Sequence, residues 1–95
     1  MGLLDLPNVG PVLAANLRAA GIETPDDLRR LGSREAFRRI RRSRDPGACL
    51  HMLYGLEGAV QGVPDSRLAP EDKAALKSFF RDLERESGAL DERFG

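Results

Sequence analysis

The chain is poor in the residues that most often carry chemistry. It has one cysteine, one histidine, one tyrosine and no tryptophan in 95 residues. A single cysteine, Cys49, excludes an internal disulfide, so stability must come from packing, as suits a reducing compartment. One histidine and one cysteine without ligand spacing exclude an ordinary zinc site. They sit two positions apart on a helix, where side chains diverge, so Cys49 and His51 do not form a nucleophile and base. No catalytic residues, metal or cofactor are expected, and the chain reads as non-enzymatic. No run approaches the eighteen or so apolar residues of a membrane span, and the amino terminus MGLLDL lacks a basic region. A soluble, cytoplasmic domain is expected.

Net charge is also missing, with fifteen basic residues against fifteen acidic ones. By itself this argues against coating of nucleic acid through bulk electrostatics. The charges are nevertheless sorted along the chain. Residues 1–28 carry one basic and four acidic groups, residues 29–56 eight and two, and residues 57–95 six and nine. The eight central cations are all arginines, between Arg29 and Arg44. A positive centre lies between acidic ends.

What is present is helical periodicity throughout, with no alternation of period two. Chain length suits one domain, residues 1–95, and the pattern predicts a compact all-α domain of five helices. The turn Pro7-Asn8-Val9-Gly10 precedes a helix from Pro11 to Ala20, with at most one loose helical turn before it. Asn8 and Gly10 tolerate left-handed backbone angles, and Pro11 pre-sets a first helical turn. The amides of Val9 and Gly10 at this helix start form a candidate anion site. Gly21 is the expected stop. Thr24-Pro25-Asp26-Asp27 has the residues of a strong helix start, and Gly32 ends that helix.

Ser33 is read as the cap of the next helix, Arg34 to Ser43, whose apolar face is Ala36, Phe37 and Ile40. Arg34, Arg38, Arg41 and Arg42 fall on the opposite face. Ala48 to Gln61 is the most apolar segment and reads as the central helix. Gly55 and Gly58 within it each cost roughly 0.5–1 kcal/mol relative to alanine, so they predict close approach by a neighbouring backbone. A last helix is expected from Pro70 to about Glu86, stopped by Gly88. Residues 88–95 then form a frayed tail that Leu90 or Phe94 pins down.

The strings LPNVGPVLAANLRAAGIETPDDLRRLG, REAFRRIRR, LHMLYGLEGAVQGV and LAPEDKAALKSFF together resemble the C-terminal domain of the TfoX/Sxy family of bacterial competence regulators. The resemblance covers about residues 6–83. It implies a compact helical fold related to helix-hairpin-helix or SAM-like domains and a link to DNA uptake or transcriptional control. Two functional readings stand beside it. In the first, Asn8, Val9 and Gly10 with Arg34, Arg38, Arg41 and Arg42 contact DNA backbone phosphates without sequence preference. In the second, the same arginine face docks an acidic protein partner or a second copy of the chain. The position of the turn relative to the arginines discriminates between them.

Overall fold

The computed structural model describes residues 2–94 and side chains as far as residue 86. After a single 3-10 turn, Leu3–Asp5, five helices follow: α1 (Pro11–Ala19), α2 (Pro25–Leu31), α3 (Ser33–Ser43), α4 (Leu50–Gln61) and α5 (Pro70–Phe94). A second 3-10 turn, Asp65–Arg67, links α4 to α5. Helix α4 is central, packing against α2, α3, α5 and the second 3-10 turn. Among the described residues there is no strand, and no helix is long and apolar enough to cross a membrane.

The core is built from Leu3, Leu17, Ile22, Leu28, Phe37, Ile40, Leu53, Leu56 and Leu76, all fully buried. Leu3 and Leu6 belong to it although they precede α1. The loose first turn is therefore part of the core and not a free end. At about 25 cal/mol per Å² of apolar surface, a buried leucine contributes roughly 1.5–3 kcal/mol.

Helix ends follow their local chemistry, with three differences from expectation. Gly21, at φ +85°, closes α1 in a Schellman arrangement: its amide donates to the Arg18 carbonyl and the Ile22 amide to that of Leu17. Ser33 is not a cap. Gly32, at φ +87°, takes that position, and the Ser33 hydroxyl donates instead to Glu57 Oε1 at 2.6 Å. Helix α4 begins at Leu50 with Cys49 as its cap residue, two positions later than expected, after the turn at Asp45 to Gly47. Helix α5 continues past Gly88, the expected stop, to Phe94. The expected anchoring of the tail by Leu90 or Phe94 lies outside the described side chains.

Thr24 and Asp27 form a reciprocal capping box. The Asp27 amide donates to Thr24 Oγ1 at 3.1 Å, while Asp27 Oδ2 accepts from the amides of Glu23 and Thr24, both at 3.2 Å. The Glu23 amide, helped by Thr24 and Arg30, holds the Asp27 carboxyl below its usual value of 3.8. A carboxyl lowered on folding stabilises the fold above its unfolded pKa, and that contribution disappears as pH falls through the lowered folded value. Thermal unfolding of Asp27→Asn is expected to show a lower midpoint than the parent at neutral pH. The difference should narrow as the pH drops below 3.8.

Candidate docking site

The Asn8 turn is fastened inward. Asn8 has φ +68° and is the one non-glycine residue with positive φ among the described residues. Its Nδ2 donates to the carbonyls of Gly55 (3.3 Å) and Val63 (3.0 Å), and its Oδ1 accepts from the Asp65 amide (3.1 Å). One side chain thus ties the chain start to α4, to the loop behind it and to the second 3-10 turn. The glycines of α4 make room for it. A Cβ built on Gly58 would collide with Asn8 Nδ2 and would sit 2.6 Å from the Val63 carbonyl oxygen. The close backbone expected at both glycines is found only beside Gly58, where the Val63 carbonyl and the Asp65 amide lie; at Gly55 the neighbour is the Asn8 side chain.

The rest of the turn is similarly committed. Val9 is buried, and its amide donates to the Leu6 carbonyl at 3.4 Å. Gly10 does not use the left-handed region: at φ −95° it is the extended cap residue of α1, and its carbonyl accepts from the Ala14 amide. Of the expected donors, only the Gly10 amide has no internal acceptor among the described residues. The Val12 and Leu13 amides that follow it in the first turn of α1 likewise have no internal acceptor among the described residues, so the open donors here belong to the helix end rather than to the turn itself.

The arginines divide into two sets. Arg41 does not share the outer face with the others. Its side chain is 13% exposed, lies over the rings of Phe37 and Phe80, and pairs with Glu84 of α5. Arg39 pairs with Glu35 on its own helix, Arg29 and Arg30 pair with Asp26 and Asp27, and Arg44 Nε donates to Asn16 Oδ1. Arg34, Arg38 and Arg42 remain exposed, and among the described residues no carboxylate lies within ion-pair distance of them. They recur every four residues and form a straight ridge of about 12 Å along α3.

Arg34 and Arg38 both lie over the Phe79 ring of α5, at 5.9 and 5.2 Å from its centroid. Two like charges are thus held beside one ring with no anion between them. The ring face attracts guanidinium groups, each contact contributing about 0.5–1 kcal/mol at an exposed site. Arg42 lies farther along, beside Ala19 and Ala20 at the end of α1. The Asn8 turn precedes the other end of that nine-residue helix. Arg42 and the turn are therefore separated by about 13 Å of helix.

Sequence reasoning placed the arginines on α3 and missed Phe79 as their support. Phe79 and Phe80 both pack against the edge of the core, and nothing in their spacing shows that the outer part of the Phe79 ring faces the arginines. Elsewhere, Cys49 is exposed, and His51 lies 3.7 Å from Asp65 beside a groove between α1 and α4. Among the described residues no cluster of metal-ligating side chains is present.

The geometry defines an all-helical domain with a clamped entry turn and a cationic seam between α3 and α5. Residues 1–80 match the TfoX C-terminal domain, and the chain belongs to that family. Two solved structures are close to it, both of Listeria monocytogenes proteins. An uncharacterized protein in a triclinic crystal form is 46% identical with a TM-score of 0.86, covering 88% of this chain and 94% of its own. A protein of unknown function in a tetragonal form is 47% identical with a TM-score of 0.82, covering 85% and 99%. Among the curated proteins none matches the sequence.

Proposed function

We propose that this domain is a non-enzymatic regulatory module that acts by docking an acidic protein partner on Arg34, Arg38 and Arg42. Family membership suggests a competence-related regulatory domain. The observation that carries the docking reading is the division of the arginines, which leaves these three exposed and aligned while the Asn8 turn is spent on internal bonds. Backbone recognition of a DNA duplex by the turn and the arginines together would need both to be open and adjacent. The Asn8 side chain and the Val9 amide are used internally, and Arg42 lies at the far end of α1 from the open amides of Gly10, Val12 and Leu13. Arginine beside half-buried aromatic rings, by contrast, is the composition of protein-binding hot spots.

The test is fluorescence anisotropy of the purified domain with a random-sequence DNA duplex and, separately, with polyglutamate, across several salt concentrations. Polyglutamate is expected to bind in low salt and to lose binding in an Arg38→Glu/Arg42→Glu variant, with no comparable duplex binding. Duplex binding with a log–log salt slope of about −2.7, the value for three phosphate contacts, would overturn the protein-docking reading in favour of DNA.

A further inference from the structure

Resting on that docking reading, we infer that the seam between α3 and α5 takes an acidic amphipathic helix of the partner. Its carboxylates would face Arg34, Arg38 and Arg42, and its apolar edge would lie on Phe79. Three observations lead to this occupant.

The cations form a straight row with a step of about 6 Å, the rise of four helical residues. A helix carrying Asp or Glu at every fourth position presents carboxylates at the same step, so all three arginines are met without bending either partner. Next, the row is not a bare charged face. Phe79 is half-buried directly beneath two of the guanidiniums, and Leu83 is half-buried one turn farther along α5. An apolar side chain laid on Phe79 removes aromatic surface from water and shields the neighbouring ion pairs from solvent. Bidentate guanidinium–carboxylate pairs gain from both effects.

The third observation is what separates a helix from an extended segment. A strand also repeats its side chains at roughly this step. Laid on an apolar seam, however, a strand must have its backbone N–H groups satisfied by the receptor. Among the described residues this domain has no sheet edge, and arginine side chains offer only donors. A helix brings its own backbone bonds and needs none from the surface.

The Phe79 ring also fixes the geometry of recognition. Arg34 and Arg38 share it, so both guanidiniums are restrained before the partner arrives, and less rotamer entropy remains to be lost on binding.

The experiment compares two synthetic peptides of identical composition by anisotropy. One carries Glu at every fourth position with Leu on the adjacent edge, and the other has the same residues scrambled. Each is titrated against the parent domain, the Arg38→Glu/Arg42→Glu variant and Phe79→Leu, which keeps apolar volume while removing the ring. Circular dichroism checks that each variant is folded and whether the peptide gains helix when bound.

The patterned peptide is expected to bind about tenfold tighter than the scrambled one and to become helical. Phe79→Leu should weaken it about threefold. Equal affinity of the two peptides, or an unchanged affinity in Phe79→Leu, would overturn this inference. If both peptides then still lost binding in the double-arginine variant, the docking reading itself would stand. Failure of both peptides and of polyglutamate to bind would remove the docking reading together with the inference.

Discussion

Gly58→Ala is expected to destabilise the domain by about 2–4 kcal/mol, the sum of overpacking and of hydrogen bonds displaced from Asn8. In an exposed helix the same substitution would stabilise by roughly 0.5–1 kcal/mol. The sign reverses because the new methyl group would collide with Asn8 Nδ2 and with the Val63 carbonyl, which is a backbone atom and cannot swing away. Gly55→Ala supplies the control three residues earlier. There the added carbon would meet Asn8 Cβ at 3.6 Å, an ordinary van der Waals distance. It should therefore be neutral or slightly stabilising. Thermal unfolding followed by circular dichroism reads both variants, with Gly58→Ala expected to melt roughly 10 °C or more below the parent. A shared small effect in both variants would show that the Asn8 amide does not occupy the space beside Gly58.

The second large effect is expected at Asn8. Asn8→Ala removes three hydrogen bonds and leaves the Gly55 and Val63 carbonyls and the Asp65 amide to find water. The expected cost is about 1.5–3 kcal/mol. Part of that cost is conformational, because alanine is strained at φ +68°. Asn8→Gly should accordingly recover about 1 kcal/mol relative to Asn8→Ala while still lacking the bonds. Asn8→Asp keeps the acceptor for the Asp65 amide but turns an oxygen toward two carbonyl oxygens, so it should be worse than Asn8→Gly at neutral pH. Urea denaturation of the three variants gives the order. If Asn8→Asp were the mildest, the Gly55 and Val63 carbonyls would not be the acceptors of the Asn8 amide.

These predictions concern features that the sequence revealed unevenly. Local chemistry was legible: the Thr24-Pro25-Asp26-Asp27 start, the Gly21 stop, and the apolar circumference of α4 all appear where their residue types require. Gly55 and Gly58 pointed to a neighbouring backbone, because glycine inside a helix costs stability relative to alanine. Which neighbour they receive was not legible. Asn8 reads locally as a turn former, and its three partners lie 47 to 57 residues away. Ser33 read as a cap for the same reason. Its hydroxyl has a local use in most sequences, and here a distant carboxylate, Glu57, takes it.

The candidate site shows the same boundary. Helical spacing placed Arg34, Arg38, Arg41 and Arg42 together, and spacing alone cannot tell them apart. The placement of α5 beside α3 brings Arg41 to Glu84 and to the Phe37 and Phe80 rings while its neighbours stay outside. Composition gave the positive centre of the chain. Tertiary packing determined which of its charges remain available.

The Asn8 clamp also has a consequence for the order in which the polypeptide is assembled on the ribosome. Its acceptors and donor run from Gly55 to Asp65, so the first ten residues cannot be fastened until the chain has been made well past its middle. Helix α2, with its Thr24–Asp27 capping box, and the α3 that follows it can form earlier. The amino-terminal turn is thus the first part of the domain to be synthesised and among the last to be secured. Until Asp65 emerges, Leu3 and Leu6 have no completed core to enter, and their exposure to other nascent chains or chaperones is set by the rate of elongation.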